Sequence, residues 1–360
     1  MTGLEIAERT LAGEDPGAPC ILGDWVFNPQ FFRAVTGRSI GEDPLRVAIQ
    51  AFRKVGANLT PQFAIANTDD YHYFRNAPPP PISPEDVCEE IECLPDPQTL
   101  AQDFDIEAAA DGYARSILAF REVAGNDILR IAGFGHPNFM GSYGKWGYEA
   151  FLSAIALYPE HIGRWFQHTG ECARLHNLAV VEGIRKNSLA PFVYNGDDIC
   201  YNQGPMCSVE VLRQLYFPAL NDCIQPLHDA GVRIIWHSDG NILPIMDDLL
   251  NAGMWGFQGF QEETGPTLEI MASQRTKWGT RPILIGSVSV TRTMPFATAD
   301  DVRADVDRCF ETCPGGGFIL ATSSSFGPEV PVENILALYE QARRHGGGCG
   351  ETHELGQEYR

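Results

Sequence analysis

Short apolar runs alternate with longer stretches of helical periodicity through the second half of the chain. Residues 232–236 form an apolar run of strand length. Residues 241–252 then carry Leu243, Met246, Leu249 and Leu250 on one helical face, before Gly253 ends the helix. The next strand is expected at 254–260. Upstream, 190–194 reads as a strand, and Ser208 caps a helix whose Val209, Leu212 and Tyr216 face the core; Pro218 and Pro226 must bend or interrupt it. Downstream, strands at 282–285 and 318–321 flank a helical stretch at 298–310. Nearer the N-terminus, 57–63 and 128–133 read as strands and 146–157 and 162–183 as helices. Seven strands are visible in the pattern and an eighth is not.

Such alternation predicts a parallel sheet with covering helices. The chain length suits a closed barrel better than two open sheets. The expectation is therefore an α/β protein, a single (β/α)8 TIM barrel over residues 1–345. The proline-rich segment 77–97 breaks every periodicity, so it reads as a surface excursion, over the barrel mouth, that supplies no core element. Residues 346–360 lack an apolar pattern and read as a flexible tail.

Composition narrows the function. Of 360 residues 44% are apolar, enough for a large core, and 26 basic against 47 acidic residues leave a formal charge of −21. That field repels phosphate backbones and anionic headgroups, which argues against nucleic acid and membrane partners. With no spanning run of roughly 18 apolar residues and no signal-like N-terminus, a cytoplasmic protein is expected. The ten cysteines include no Cys-x-x-Cys pair, and reduced structural thiols are expected even at Cys88/Cys93 and Cys309/Cys313.

Catalytic groups of a barrel sit where its strands end, because the βα loops converge there on one cavity. Four polar clusters follow apolar strands: Gly196-Asp197-Asp198, His237-Ser238-Asp239-Gly240-Asn241, Gln261-Glu262-Glu263 and Thr322-Ser323-Ser324-Ser325. His237 and Asp239 lie two apart, so an extended strand end aims both to one side. There they could share a metal, or the carboxylate could orient the imidazole as a general acid or base. The competing structural roles are a core histidine and a helix-capping aspartate. Asp197 and Asp198 are adjacent, so one faces the cavity and one faces away. Either could act as a general acid if crowded by Asp239, or both could serve as a turn pair. Glu262 and Glu263 divide likewise between site and solvated rim. Gly133-Phe134-Gly135-His136-Pro137-Asn138 lacks the third glycine of a dinucleotide loop, and Gly315-Gly316-Gly317 precedes its strand, at the wrong end for phosphate binding.

The ordered series Gly196-Asp-Asp-Ile199, Gly204-Pro-Met206, Ala230-Gly231, His237-Ser-Asp-Gly-Asn241, Gly259-Phe-Gln261, Gly315 to Ala321 and Val330 to Ile335 resembles the uroporphyrinogen decarboxylase superfamily. The arginine-rich motif with which the decarboxylases hold their octacarboxylate is not reproduced at 23–33. The late-strand histidine is replaced within Thr322 to Ser325. The chain is more similar to the corrinoid-linked methyltransferases, whose Zn²⁺ sits on His-x-Cys and a distant Cys; His237 matches, Asp239 stands at the second position, and the distant one falls in Thr322 to Ser325.

What the resemblance implies is a corrinoid-dependent methyltransferase that demethylates a small methoxylated or methylated compound beside a small corrinoid protein. Cobalamin is then the methyl carrier and Zn²⁺ a candidate ion in an oxygen-rich site. His237, Asp239, Asp197 and Asp198 are the catalytic candidates. His237 and Asp239 with Glu263 are the metal set, the third ligand being open among Asp197, Asp198, Glu262 and Glu263. Tyr194, Trp236, Gln261, Glu262, Phe63 and Trp25 are the substrate-binding candidates, although for each aromatic taken separately a core role is the stronger reading. A homodimer is left open. The rivals are a cofactor-independent decarboxylase of a small carboxylic acid or porphyrinogen, with Asp239 as proton donor, and a non-catalytic tetrapyrrole or corrinoid carrier.

Overall fold

A computed structural model of the protein describes residues 1–70 and 81–346. Eight parallel strands form the centre: β1 (Cys20–Ile21), β2 (Leu59–Thr60), β3 (Leu129–Arg130), β4 (Phe192–Gly196), β5 (Arg233–His237), β6 (Gly256–Gln258), β7 (Ile283–Val288) and β8 (Phe318–Thr322). A six-stranded sheet runs β1-β8-β7-β6-β5-β4 and a two-stranded one pairs β2 with β3. Single parallel bridges, Leu22 to Leu59 and Ala132 to Val193, join the two sheets at both edges. The strands thus run round as a ring, as the strand–helix alternation predicted.

The period of two sorts the side chains. Phe192, Tyr194, Ile235, Ile283, Ile285, Ile319 and Ala321 fill one cluster inside the ring, together with Leu22, Leu59 and Leu129. Val193, Ile234, Trp236, Phe257, Leu284 and Leu320 belong to a second cluster packed under the helices. Ala7 and Leu11 of the helix Gly3–Leu11 join the inner cluster and plug the end where the strands begin. Functional groups are left the opposite rim.

Several elements differ from expectation. The unseen eighth strand is β1, whose two residues are too few for a periodic signal. Strand β4 extends to Gly196, two residues beyond the expected end, because it pairs with β5 up to His237. The expected helix at 146–157 divides at Gly147 (φ 83°) into Phe139–Trp146 and Tyr148–Leu157. The helix expected at 162–183 runs Pro159–Asn187, and that expected at 298–310 runs Ala299–Thr312 behind a capping box of Thr298 and Asp301. Pro226 lies inside an unbroken helix, Phe217–Asp229; the disturbance falls earlier, in a π turn at Leu212–Tyr216 ahead of Pro218.

The segment 77–97 is the main correction. Positions 77–80 lie outside the described residues, but Pro84–Glu92 is a helix opened by a Ser83–Asp86 capping box. Its Val87 and Ile91 are fully buried, and each such side chain contributes roughly 1.5–3 kcal/mol. They form one i, i+4 face in a highly charged stretch, a two-residue stripe that neighbouring prolines mask. The tail from 347 onward lies outside the described residues. The nine described cysteines are free, and no described helix is long and apolar enough to cross a membrane.

Candidate functional site

At the rim, the ends of β4, β5 and β6 bring together Asp198, His237, Asp239 and Gln258. One ligand atom from each of Asp198, His237 and Asp239 lies within 4.8 Å of the others. His237 closes β5 with its ring inside the barrel, its centroid 5.5 Å from that of Trp25 and 6.3 Å from that of Tyr194. Its Nδ1 is 2.5 Å from Oε1 of Gln258, and the Tyr194 hydroxyl donates to the same oxygen at 2.9 Å. Nε2 faces Oδ1 of Asp198 at 3.5 Å.

Asp239 stands on the loop after β5, where its backbone N–H donates to Oδ1 of Asp198 at 3.0 Å. Its Oδ2 accepts from the Ser324 hydroxyl at 3.2 Å, while its buried Oδ1 has no hydrogen-bond donor. Capping the following turn falls instead to Asn241, whose Oδ1 accepts from the backbone N–H of Leu243. Burial pushes the Asp239 carboxyl up to about 6; His237 opposes the rise, and Asp198 and Glu263 add to it. Gly259 makes this approach geometrically allowed. It sits at φ 88°, and a Cβ there would fall 2.4 Å from Nδ1 of His237 and 3.3 Å from Oδ1 of Asp239.

The other expected residues divide clearly. Asp197 faces away from the cluster, fully buried. Its carboxylate accepts from the backbone N–H groups of Phe139 and Met140 at 2.8 and 2.5 Å and from the Tyr216 hydroxyl at 2.9 Å, with His136 Nδ1 at 3.3 Å. It anchors a helix N-terminus, where backbone donors lack intrahelical partners. Glu263 lies outside the three-residue cluster and accepts from the Ser289 and Thr291 hydroxyls; Asp198 occupies the place expected for it. Glu262 is paired with Arg308 at 2.9 Å, and Gln261 Oε1 accepts from the backbone N–H of Gly240.

Of the aromatic candidates, Trp25 and Tyr194 flank the cluster. Trp236 points outward to Phe134 and His136, because its parity on β5 is opposite to that of His237. Phe63 packs on Phe52 and Phe120 among the outer helices. Sequence reasoning missed Gln258, a polar residue in an otherwise apolar strand, since only the β5–β6 register sets it opposite His237. It also missed Asp24, which accepts from the backbone N–H groups of Trp25, Gln62, Phe63 and Ala64 and so holds the loop that presents Trp25.

Fold and site define an α/β barrel with a histidine–carboxylate cluster at the carboxyl ends of its strands. The uroporphyrinogen decarboxylase family model matches residues 192–345, from β4 to the C-terminal helix, and over that stretch the chain is similar to the family. No curated protein sequence matches the chain. Among solved structures, the chain is similar to a methyltransferase from Methanosarcina mazei at TM-score 0.66 and 16% identity, over 96% of this chain and 99% of that one. A family-18 chitinase from Flavobacterium johnsoniae aligns at TM-score 0.36 and 12% identity, over 94% of this chain and 99% of that one.

Proposed function

We propose that the chain is a methyltransferase whose Asp198, His237 and Asp239 hold a divalent metal ion beside the methyl–oxygen bond of a small methoxylated or methylated substrate. The observation that carries this reading is the donor set itself. The buried Oδ1 of Asp239 has no donor, Nε2 of His237 is turned toward a carboxylate oxygen, and the three ligand atoms converge with a cation's spacing. Imidazole and carboxylate suit Zn²⁺ and its first-row neighbours. A thiolate is not needed for an ether oxygen, which is a harder donor than sulfur. When bound, the ion supplies Lewis-acid stabilisation of the departing oxygen.

The chain's own groups do the rest. Trp25 and Tyr194 offer an aromatic wall beside His237, which suits a methoxyaromatic ring. As a ligand Asp239 would bind the ion as its carboxylate, and so give up the proton that burial holds on this group up to about 6. The methyl acceptor in this reading is a cobalamin-type corrinoid, brought as a second substrate by a small corrinoid protein; the methyltransferase fold and the superfamily match support it. The raised Asp239 carboxyl also suits a second reading, a decarboxylase that protonates a carbanion after CO₂ leaves.

The test is incubation of the protein with reduced cobalamin and a panel of methoxyaromatics, with absorption of the methylated corrinoid as the readout. Turnover is expected, and His237→Ala and Asp239→Ala are each expected to lose metal and about 100-fold or more in rate. Full metal content and full rate in both variants would reject the site. Release of CO₂ from a carboxylic acid with no cobalamin present would select the second reading.

A further inference from the structure

We infer that Gln258 is a positioning residue: with Tyr194 behind it, it fixes the His237 imidazole so that Nε2 carries a lone pair toward Asp198 and Asp239. The inference rests on the metal reading proposed above but concerns a different residue.

The two sides of the imidazole are unequal. Nδ1 lies 2.5 Å from the Gln258 carbonyl oxygen, within hydrogen-bond range, whereas Nε2 lies 3.5 Å from Asp198 Oδ1, beyond it. A proton belongs on the short side, so Nδ1 donates and Nε2 is left with its lone pair. Were the amide reversed, Nδ1 would have to accept, and an Nε2–H would be expected to close on the carboxylate. The gap on that side argues otherwise. Asp198 Oδ1 already accepts from the Asp239 backbone N–H, so it is held in place without the histidine.

Gln258 is itself fixed. It is 1% exposed, and β6 pairs with β5 on one side and β7 on the other. The Tyr194 hydroxyl, fully buried on β4, donates to the same Oε1, so two donors from two strands converge on one acceptor. That arrangement leaves the Gln258 Nε2 without a partner. The amide therefore gives up a bond of its own while its oxygen holds the histidine, as expected of an orienting group and not of a core amide paired for stability. Trp25 on one face and Gly259 against the ring's Nδ1 edge prevent the imidazole from swinging away. Outer partners of this type set which nitrogen of a metal-binding histidine is available, and their loss typically weakens metal binding by 10–100-fold.

The experiment titrates Co²⁺ into the full-length wild type, Gln258→Leu, Gln258→Glu, Tyr194→Phe and His237→Ala, reading the visible d–d spectrum and the dissociation constant. Long-range ¹H–¹⁵N spectra of the metal-free wild type give the His237 tautomer, assigned by the signals lost in His237→Ala. The expected results are an Nδ1–H tautomer in the wild type, and Co²⁺ bound about 10–100-fold more weakly by Gln258→Leu with an altered spectrum. Gln258→Glu, which keeps an acceptor oxygen, should stay within about fivefold of wild type, and Tyr194→Phe should lose a few-fold. An Nε2–H tautomer in the wild type overturns the inference. So does Co²⁺ binding by Gln258→Leu equal to wild type in affinity and spectrum, or, if that variant does not fold, a Gln258→Glu protein that binds as weakly as His237→Ala. A wild type that binds no Co²⁺ but has the Nδ1–H tautomer instead sinks the metal reading.

Discussion

Asp239 carries an electrostatic load that its neighbours only partly relieve, and this makes it testable through stability as well as chemistry. Burial raises its carboxyl to about 6 in the folded protein, against roughly 4 in an unfolded chain. The folded state therefore binds this proton more tightly than the unfolded one. Its contribution is fully present below about pH 4 and is lost as the pH rises through 6. At pH 8 the ionised group costs the metal-free fold up to about 3 kcal/mol relative to a neutral isostere. Asp239→Asn is expected to be more stable than wild type by up to that amount at pH 8 in chelator, with the advantage shrinking toward pH 5, as measured by urea denaturation. An advantage equal at both pH values would show that Asp239 does not titrate there. Gly259→Ala should act the other way: its methyl would sit 2.4 Å from Nδ1 of His237 at a backbone φ of 88°. A loss of about 2 kcal/mol is expected, with Co²⁺ binding weakened in the same variant. At this scale the sequence revealed the pair two apart, His237 and Asp239, because strand parity is local. It could not say which of Asp197 and Asp198 looks inward, since adjacency leaves the phase open until β4 is paired.

The helix Phe139–Trp146 shows how a site residue and a scaffold residue can be chain neighbours. Asp197 accepts from its first two backbone N–H groups, while Asp198 joins His237 and Asp239. Asp197→Ala would leave the buried Phe139 amide, the part-buried Met140 amide and the buried Tyr216 hydroxyl without this acceptor, a loss of about 3 kcal/mol or more. Asp198→Ala should change stability little and Co²⁺ affinity strongly, so thermal melts and metal titrations of the two variants separate the roles. Equal effects of both substitutions on metal binding would contradict this division. Elements with long periodic patterns, such as Pro159–Asn187 and β5, were legible, as were starts marked by a side-chain cap such as Thr298. Those that escaped were short or masked. β1 spans two residues, and Pro84–Glu92 offers Val87 and Ile91 as its main apolar face amid prolines and carboxylates. Trp236 and Phe63 failed as site residues for a related reason, since an aromatic at a strand end looks the same on paper whichever side of the wall it faces.

The whole ring is uneven in strength. β4 and β5 pair over five residues, as do β7 and β8, whereas β2 and β3 pair over Leu59–Leu129 and Thr60–Arg130 and β1 meets β2 at the one bridge Leu22–Leu59. Side chains replace the missing ladder. Asp24 gathers the Thr60 hydroxyl at the end of β2 and the backbone N–H groups of Gln62, Phe63 and Ala64 beyond it, and the Tyr339 hydroxyl from the C-terminal helix donates to the Leu22 carbonyl. A barrel closed in this way should open at that seam before it unfolds globally, because local opening follows the density of buried contacts and ladder bonds. Native-state hydrogen exchange is therefore expected to be faster at the seam amides of Gly23, Asn58 and Leu129, each donating across a short ladder, than within β5, β7 and β8. Asp24→Ala should widen that difference by about tenfold or more, since five donors lose one acceptor together. It should also loosen Trp25, and with it the aromatic wall beside His237, while leaving exchange in β5 to β8 near the wild-type rate. Uniform exchange around the ring would mean instead that the eight strands open as one unit and that Asp24 contributes only to the global stability.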